Sequence, residues 1–235
     1  MKFKIASLFV LCAILISCGT SRQGGKKQRK GTKAQVVLTP EQQRKYDYFF
    51  LEASRLKMKD DYSAAFDLLQ HCLTINPNAS SALYEISQYY MYLKQVPQGQ
   101  AALEKAVEND PDNYWYSQGL ASLYQQQNEM QKATNLLESM ATRFSDRMDP
   151  LYSLLDIYNR LEEYDNVITT LNRLEEKMGK NEQLSMEKFR IYLQKKDNQS
   201  AFREIESLVE EYPMDMRYQV IPVSYTHLRA HETKA

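Results

Sequence analysis

Cysteines, histidines and paired acids are the side chains in this sequence that could do chemistry, and their spacing argues against each use. His71 and Cys72 are neighbours, but adjacent residues on a helix do not face each other, and no third ligand or orienting group stands near them in sequence. Cys72 falls on the apolar face of its segment, which reads as buried packing rather than a reactive thiol. The carboxylate pairs Glu162-Glu163 and Glu175-Glu176 are consecutive, so their side chains diverge; they read as solvated faces and not as an acid–base dyad. Gly24-Gly25-Lys26 lacks the strand, the spacing and the hydroxyl of a phosphate-binding loop. No catalytic residue, metal ligand or cofactor site follows, and the chain does not read as an enzyme. What remains is surface: 17 tyrosines and a single tryptophan, Trp115, which offer flat apolar area with a polar edge.

The elements that carry those aromatics repeat. Asn76-Pro77 and Asp110-Pro111 each close a pair of helix-length segments, and the two prolines lie 34 residues apart. In that register repeats fall at 46–77, 80–111, 114–145, 148–179 and 182–213. The first helix of each wants bulky, bulky, small and bulky residues at its fourth, seventh, eighth and eleventh places. Leu83, Ile86, Ser87 and Tyr90 satisfy this, Ser117, Leu120, Ala121 and Tyr124 follow, and then Leu151, Leu154, Leu155 and Tyr158. The second helix wants a small residue and then two hydrophobes at helical spacing, as in Ala65, Leu69, Cys72 and in Gly99, Leu103, Ala106. Proline cannot continue a helix and so ends a unit; Ser145 and Gly179 stand in its place in repeats three and four. Only seven Gly and seven Pro suit a helical array, and zero net charge gives no electrostatic pointer to a nucleic-acid partner.

This pattern resembles the tetratricopeptide repeat family, whose unit is a 34-residue helix–turn–helix. The resemblance covers residues 46–213 without a gap in register. It implies an all-α fold, a right-handed α-solenoid of stacked repeats, with the first helices lining a concave groove. By that resemblance the partner-binding groove is built from places that here hold Phe50, Tyr84, Gln88, Trp115, Gln118, Tyr152 and Arg190, and the partner is a protein or peptide segment. The Lys and Asn pattern with which some members clamp a C-terminal carboxylate is missing, because Phe50, Ser54 and Trp115 occupy those places.

The ends of the chain read differently. Lys2 and Lys4 precede an apolar run from Ile5 to Ile16, as in a secretory signal peptide. The sequence Leu15-Ile16-Ser17-Cys18 resembles the bacterial lipoprotein cleavage box, which implies removal of residues 1–17 and lipidation of Cys18, with palmitate among the expected acyl chains. Gly19 rather than an acid implies an outer-membrane address facing the periplasm. Residues 18–39, basic and nearly free of apolar side chains, read as a flexible tether spanning about 25 Å. The cluster Lys26-Lys27-Gln28-Arg29-Lys30 suits anionic headgroups or a solvated spacer rather than nucleic acid. Thr39-Pro40-Glu41-Gln42 reads as a helix start, so the repeat domain is expected over 40–213. Residues 214–223 look like the opening of a truncated sixth repeat. Residues 224–235 resemble a translated sequencing adaptor, so His227 and His231 support no site.

The combined expectation is a membrane-anchored scaffold of the bacterial envelope, with a Bacteroidetes-like layout, that binds partner segments in its groove. The alternatives are a glycan- or nutrient-capture lipoprotein using Trp115 and tyrosines as sugar platforms, or the docking arm of a larger enzyme or sensor.

Overall fold

The structure is a computed structural model that describes residues 37–214. The expected signal peptide, lipidation site Cys18, most of the expected tether, the expected sixth repeat beyond Met214 and the adaptor-like tail lie outside the described residues.

Ten helices follow one another among those residues: α1 Pro40–Lys57, α2 Tyr62–Ile75, α3 Ser80–Tyr92, α4 Val96–Asn109, α5 Tyr114–Gln126, α6 Met130–Arg143, α7 Asp149–Arg160, α8 Tyr164–Met178, α9 Glu182–Gln194 and α10 Asn198–Glu211. Each packs on the next in sequence, giving five antiparallel pairs stacked in chain order. The second helices begin at 62, 96, 130, 164 and 198, so the 34-residue period survives in the geometry.

The period is enforced at the turn inside each pair. Asp60, Lys94, Asn128, Glu162 and Lys196 all adopt positive φ, between 56° and 62°, at 34-residue intervals. A side chain other than Gly or Asn is strained there, by about 1–2 kcal/mol. The following residue caps the second helix: Asp61 Oδ1 accepts from the Ala64 amide at 3.2 Å and Asp197 Oδ1 from Ser200 at 3.1 Å. Gln95 holds the same position before α4 and makes no side-chain cap. Combining Lys94→Asn with Gln95→Asp should therefore raise stability by about 1–2 kcal/mol, read as an increase in urea midpoint at constant slope. At the start of the array Thr39 forms a reciprocal capping box with Gln42 ahead of Pro40.

Close approach within each pair depends on one small or β-branched residue in the second helix. Ala65, Ala133, Val167 and Ala201 are all fully buried. Gly99 goes further: a Cβ there would lie 2.8 Å from Met91 Cε and 3.1 Å from the Ser87 carbonyl oxygen, so α4 lies nearer to α3 than an alanine allows without a shift. Around these contacts run Leu103, Leu120, Leu137, Leu154, Leu171 and Ile191, in one apolar core that joins repeats two to five. Polar ties link successive repeats at the edges, with Tyr46 Oη to Ser81 Oγ at 3.0 Å, Lys57 to Glu85 at 2.7 Å and Arg173 to Glu138 at 2.8 Å.

Repeat five departs from the pattern. Where Ile86, Leu120 and Leu154 fill the core, α9 places Lys188, with only 2% of its surface exposed. Its ammonium meets Glu175 Oε2 at 2.8 Å and Glu204 Oε1 at 3.0 Å, while Lys180 reaches both carboxylates at 3.1 Å. Glu175 is thus half-buried and paired, which corrects its reading as part of a solvated acidic face; Glu176 beside it is exposed.

Candidate peptide-binding groove

The first helices α1, α3, α5, α7 and α9 carry the residues expected to line a groove, and the structure puts them to different uses. Phe50 is half-buried, stacked on Tyr46 at 6.0 Å with the rings 9° from parallel. Tyr84 is also engaged: its ring lies 4.8 Å from Tyr116 of the next repeat, centroid to centroid. Both serve the stack as much as a ligand. Gln88 is exposed, with its amide donating to Ser87 Oγ at 3.2 Å.

The accessible aromatic surface lies further along. Trp115, on the first turn of α5, is 63% exposed. Its indole meets Tyr114 edge to face at 5.3 Å. The Arg147 guanidinium, from the α6–α7 loop, lies 4.1 Å from the Tyr114 ring centroid and 5.6 Å from that of Trp115. Cation–π attraction and ring packing thus hold Trp115 in place while its outer face stays open. Gln118, one turn on, accepts from the Tyr114 hydroxyl at 3.1 Å. Arg147 was not legible as a site residue because it lies outside the helical register; the only sequence cue was a cation in a loop preceding a Pro-started helix.

Tyr152 on α7 is 47% exposed and donates to Met178 Sδ at 3.3 Å. Met178 opens a recess of about 1170 Å³ along α9, lined also by Met186, Phe189, Arg190, Leu193 and Tyr212. Arg190 is held in an ion pair with Glu187 one turn earlier, so it presents a neutralised, hydrogen-bonding edge rather than a free charge. The series Trp115, Gln118, Tyr152, Arg190 therefore joins flat apolar faces to amide and guanidinium donors. Such a combination can take up an extended chain by side-chain stacking and by hydrogen bonds to its carbonyls.

Among the described residues no group of three or more His, Cys, Asp or Glu side chains could hold a metal ion. His71 is exposed and packs on Phe49 at 5.5 Å. Cys72 is fully buried, its Sγ 3.8 Å from the Tyr46 carbonyl oxygen, and burial pushes its thiol up to about 11. With so little thiolate at pH 8, Ellman's reagent should leave Cys72 unlabelled in the native protein and modify it promptly in 6 M guanidinium.

Residues 80–113 match the tetratricopeptide repeat family, and solved structures align over most of the chain. The chain folds as a tetratricopeptide-repeat solenoid. The MamA protein aligns with a TM-score of 0.53 at 18% identity, covering 75% of this chain and 96% of that one. A tetratricopeptide repeat protein from Parabacteroides merdae aligns with a TM-score of 0.53 at 16% identity, over 74% of this chain and 70% of its own. YrrB, described as a tetratricopeptide repeat protein with an unusual peptide-binding site, gives 0.50 at 13% identity, over 73% and 88%. No curated protein matches the sequence. These solved neighbours speak to fold, and the groove residues are argued from their own geometry.

Proposed function

We propose that this protein is a non-enzymatic scaffold that captures an extended segment of a partner protein along its first helices. One observation carries the reading. Trp115 and Tyr152 stand exposed on successive first helices, each held by packing, with Gln118 one turn on from Trp115 and Arg190 on the next first helix. Aromatic faces held at successive first helices offer stacking area that a bound segment would cover. A protein of the same fold described as having a peptide-binding site, YrrB, supports the same use.

The address is proposed from sequence. Lipidation at Cys18 would tether the solenoid to a membrane, with residues 19–39 as spacer, and Gly19 favours the outer membrane facing the periplasm. No helix among the described residues is long and apolar enough to cross a membrane. In this arrangement the scaffold gathers envelope proteins near the bilayer. The tetratricopeptide lipoprotein subunit of the β-barrel assembly machinery is an analogue by layout, in fold and anchor only.

The test is partner recovery. Trp115→Ala with Tyr152→Ala should reduce co-purified partner at least tenfold while lowering the unfolding free energy by less than about 2 kcal/mol, because Trp115 is mostly and Tyr152 about half exposed. Unchanged recovery would eliminate these residues as the binding surface. Tyr84→Ala is the poorer choice, since it also removes the contact with Tyr116.

A further inference from the structure

Where α1 ends, α2 begins and α3 completes its last turns lies a small cleft that shares only Gln88 with the expected groove. It has a volume of about 400 Å³ and is lined by Lys57, Tyr62, Gln88, Tyr89 and Tyr92. Tyr62 is 47% exposed and Tyr92 80%, with ring centroids 6.5 Å apart; Tyr89 lies behind them, 6.3 Å from Tyr62. Tyr89 is only 7% exposed, and its hydroxyl is buried without a hydrogen-bond partner. A buried hydroxyl left unpaired is unfavourable, and one at the wall of an open cleft points to a ligand that completes it.

The chemistry of the walls narrows the occupant. Lys57 already pairs with Glu85 at 2.7 Å, so the cleft is close to neutral and favours neither a carboxylate nor a cation. The Tyr62 hydroxyl donates to Asp60 Oδ1 at 2.8 Å, which leaves its ring, not its oxygen, to a ligand. Each polar group in the walls retains a donor: the Lys57 ammonium beyond its pair with Glu85, the second N–H of the Gln88 amide, and the Tyr89 hydroxyl. The occupant should therefore be neutral, offer flat apolar faces, and present acceptors without competing donors. A run of prolines does this: its rings pack on aromatic faces, and its backbone has carbonyls but no N–H groups.

We propose that this cleft is a second binding site, which takes a proline-rich segment in the polyproline II conformation. The proposal rests on the reading of the solenoid as a peptide scaffold and assigns a second contact to it. The prolyl rings stack on Tyr62 and Tyr92, and a side-chain shift on binding uncovers the Tyr89 hydroxyl so that it donates to one carbonyl.

The experiment is fluorescence anisotropy of a fluorescein-labelled octaproline peptide titrated with the full chain. Saturable binding is expected, weakened at least tenfold by Tyr92→Ala and by Tyr62→Ala. Tyr89→Phe separates a ligand contact from a structural one. It should weaken binding about three- to tenfold, the worth of one hydrogen bond, while the melting temperature stays level or rises because the orphaned hydroxyl is gone. Absence of saturable binding, or equal affinity in the parent, Y92A and Y89F, overturns the proposal. So does binding of cellohexaose at these tyrosines in place of octaproline. Trp115→Ala should leave octaproline binding unchanged. Loss of partner recovery in that variant with octaproline binding intact separates the two sites, and failure of octaproline with partner recovery intact overturns the cleft alone.

Discussion

Lys188→Met is expected to destabilise the protein by about 3 kcal/mol, more than any surface change in the array. The lysine is 2% exposed and stands at a core place, bonded to both Glu175 and Glu204. Methionine fills the volume, so the loss is not a cavity; it is the removal of a cation from between two carboxylates that are themselves 20% and 15% exposed. Lys180 remains in contact with both acids and keeps the loss near the lower end of the range for a broken buried pair. Restoring the apolar pattern tests the cause. Lys188→Leu combined with Glu175→Gln and Glu204→Gln should recover most of the stability, because a buried ion network is roughly balanced by an apolar replacement.

The same cluster sets a pH dependence. Burial pushes the Glu175 carboxyl up, but hydrogen bonds from Lys188 and Lys180 outweigh it and hold it below the ordinary carboxylate value. A carboxyl depressed in the native state adds stability above its unfolded pKa, about 4.3, and that stability is lost as pH falls through the native value. Between pH 5 and pH 3 the parent should therefore lose stability from this site. In Lys188→Met the difference between pH 7 and pH 3 should shrink, since part of the depression is already gone. Urea titrations at the two pH values measure both effects.

Leu154→Ala carries the second large expected effect, a loss of about 2–5 kcal/mol. Leu154 is fully buried in the core that joins repeats two to five, so truncation leaves a cavity between two helix pairs that cannot collapse independently. Leu193→Ala is the matched control. It is 41% exposed at the rim of the α9 recess and should change stability by less than about 0.5 kcal/mol. Equal losses at the two sites would contradict the assignment of core and surface.

The fold was legible in the sequence because a helix pair cannot bury its apolar face alone. Each unit must therefore repeat the same bulky and small places, and Leu69, Leu103, Leu137, Leu171 and Ile205 keep one register over the whole array. The turn conformation was not legible, because Asp60, Lys94, Asn128, Glu162 and Lys196 share one backbone shape across four residue types, none of them Gly. The charged cluster had a cue that was passed over: Lys188 stands where Ile86, Leu120 and Leu154 stand, and a lysine at a core place needs partners. Among the groove residues, register alone could not separate Trp115 and Tyr152, which are open, from Phe50 and Tyr84, which are taken up by Tyr46 and Tyr116. That distinction depends on what the adjacent repeat contributes. The Tyr62–Tyr89–Tyr92 cleft is not legible in the sequence for the same reason, since its walls come from three helices and two repeats.

Site-directed photo-crosslinking in living cells tests the central claim most directly. Benzoylphenylalanine would be placed at Tyr152, on a first helix, and at Asn135, an exposed position on the second helix α6. The account predicts a discrete crosslinked protein from position 152 and none from position 135, with the product lost when Trp115 is changed to alanine. Crosslinking that is equal at the two positions, or absent from position 152 while the protein is folded and abundant, would contradict it.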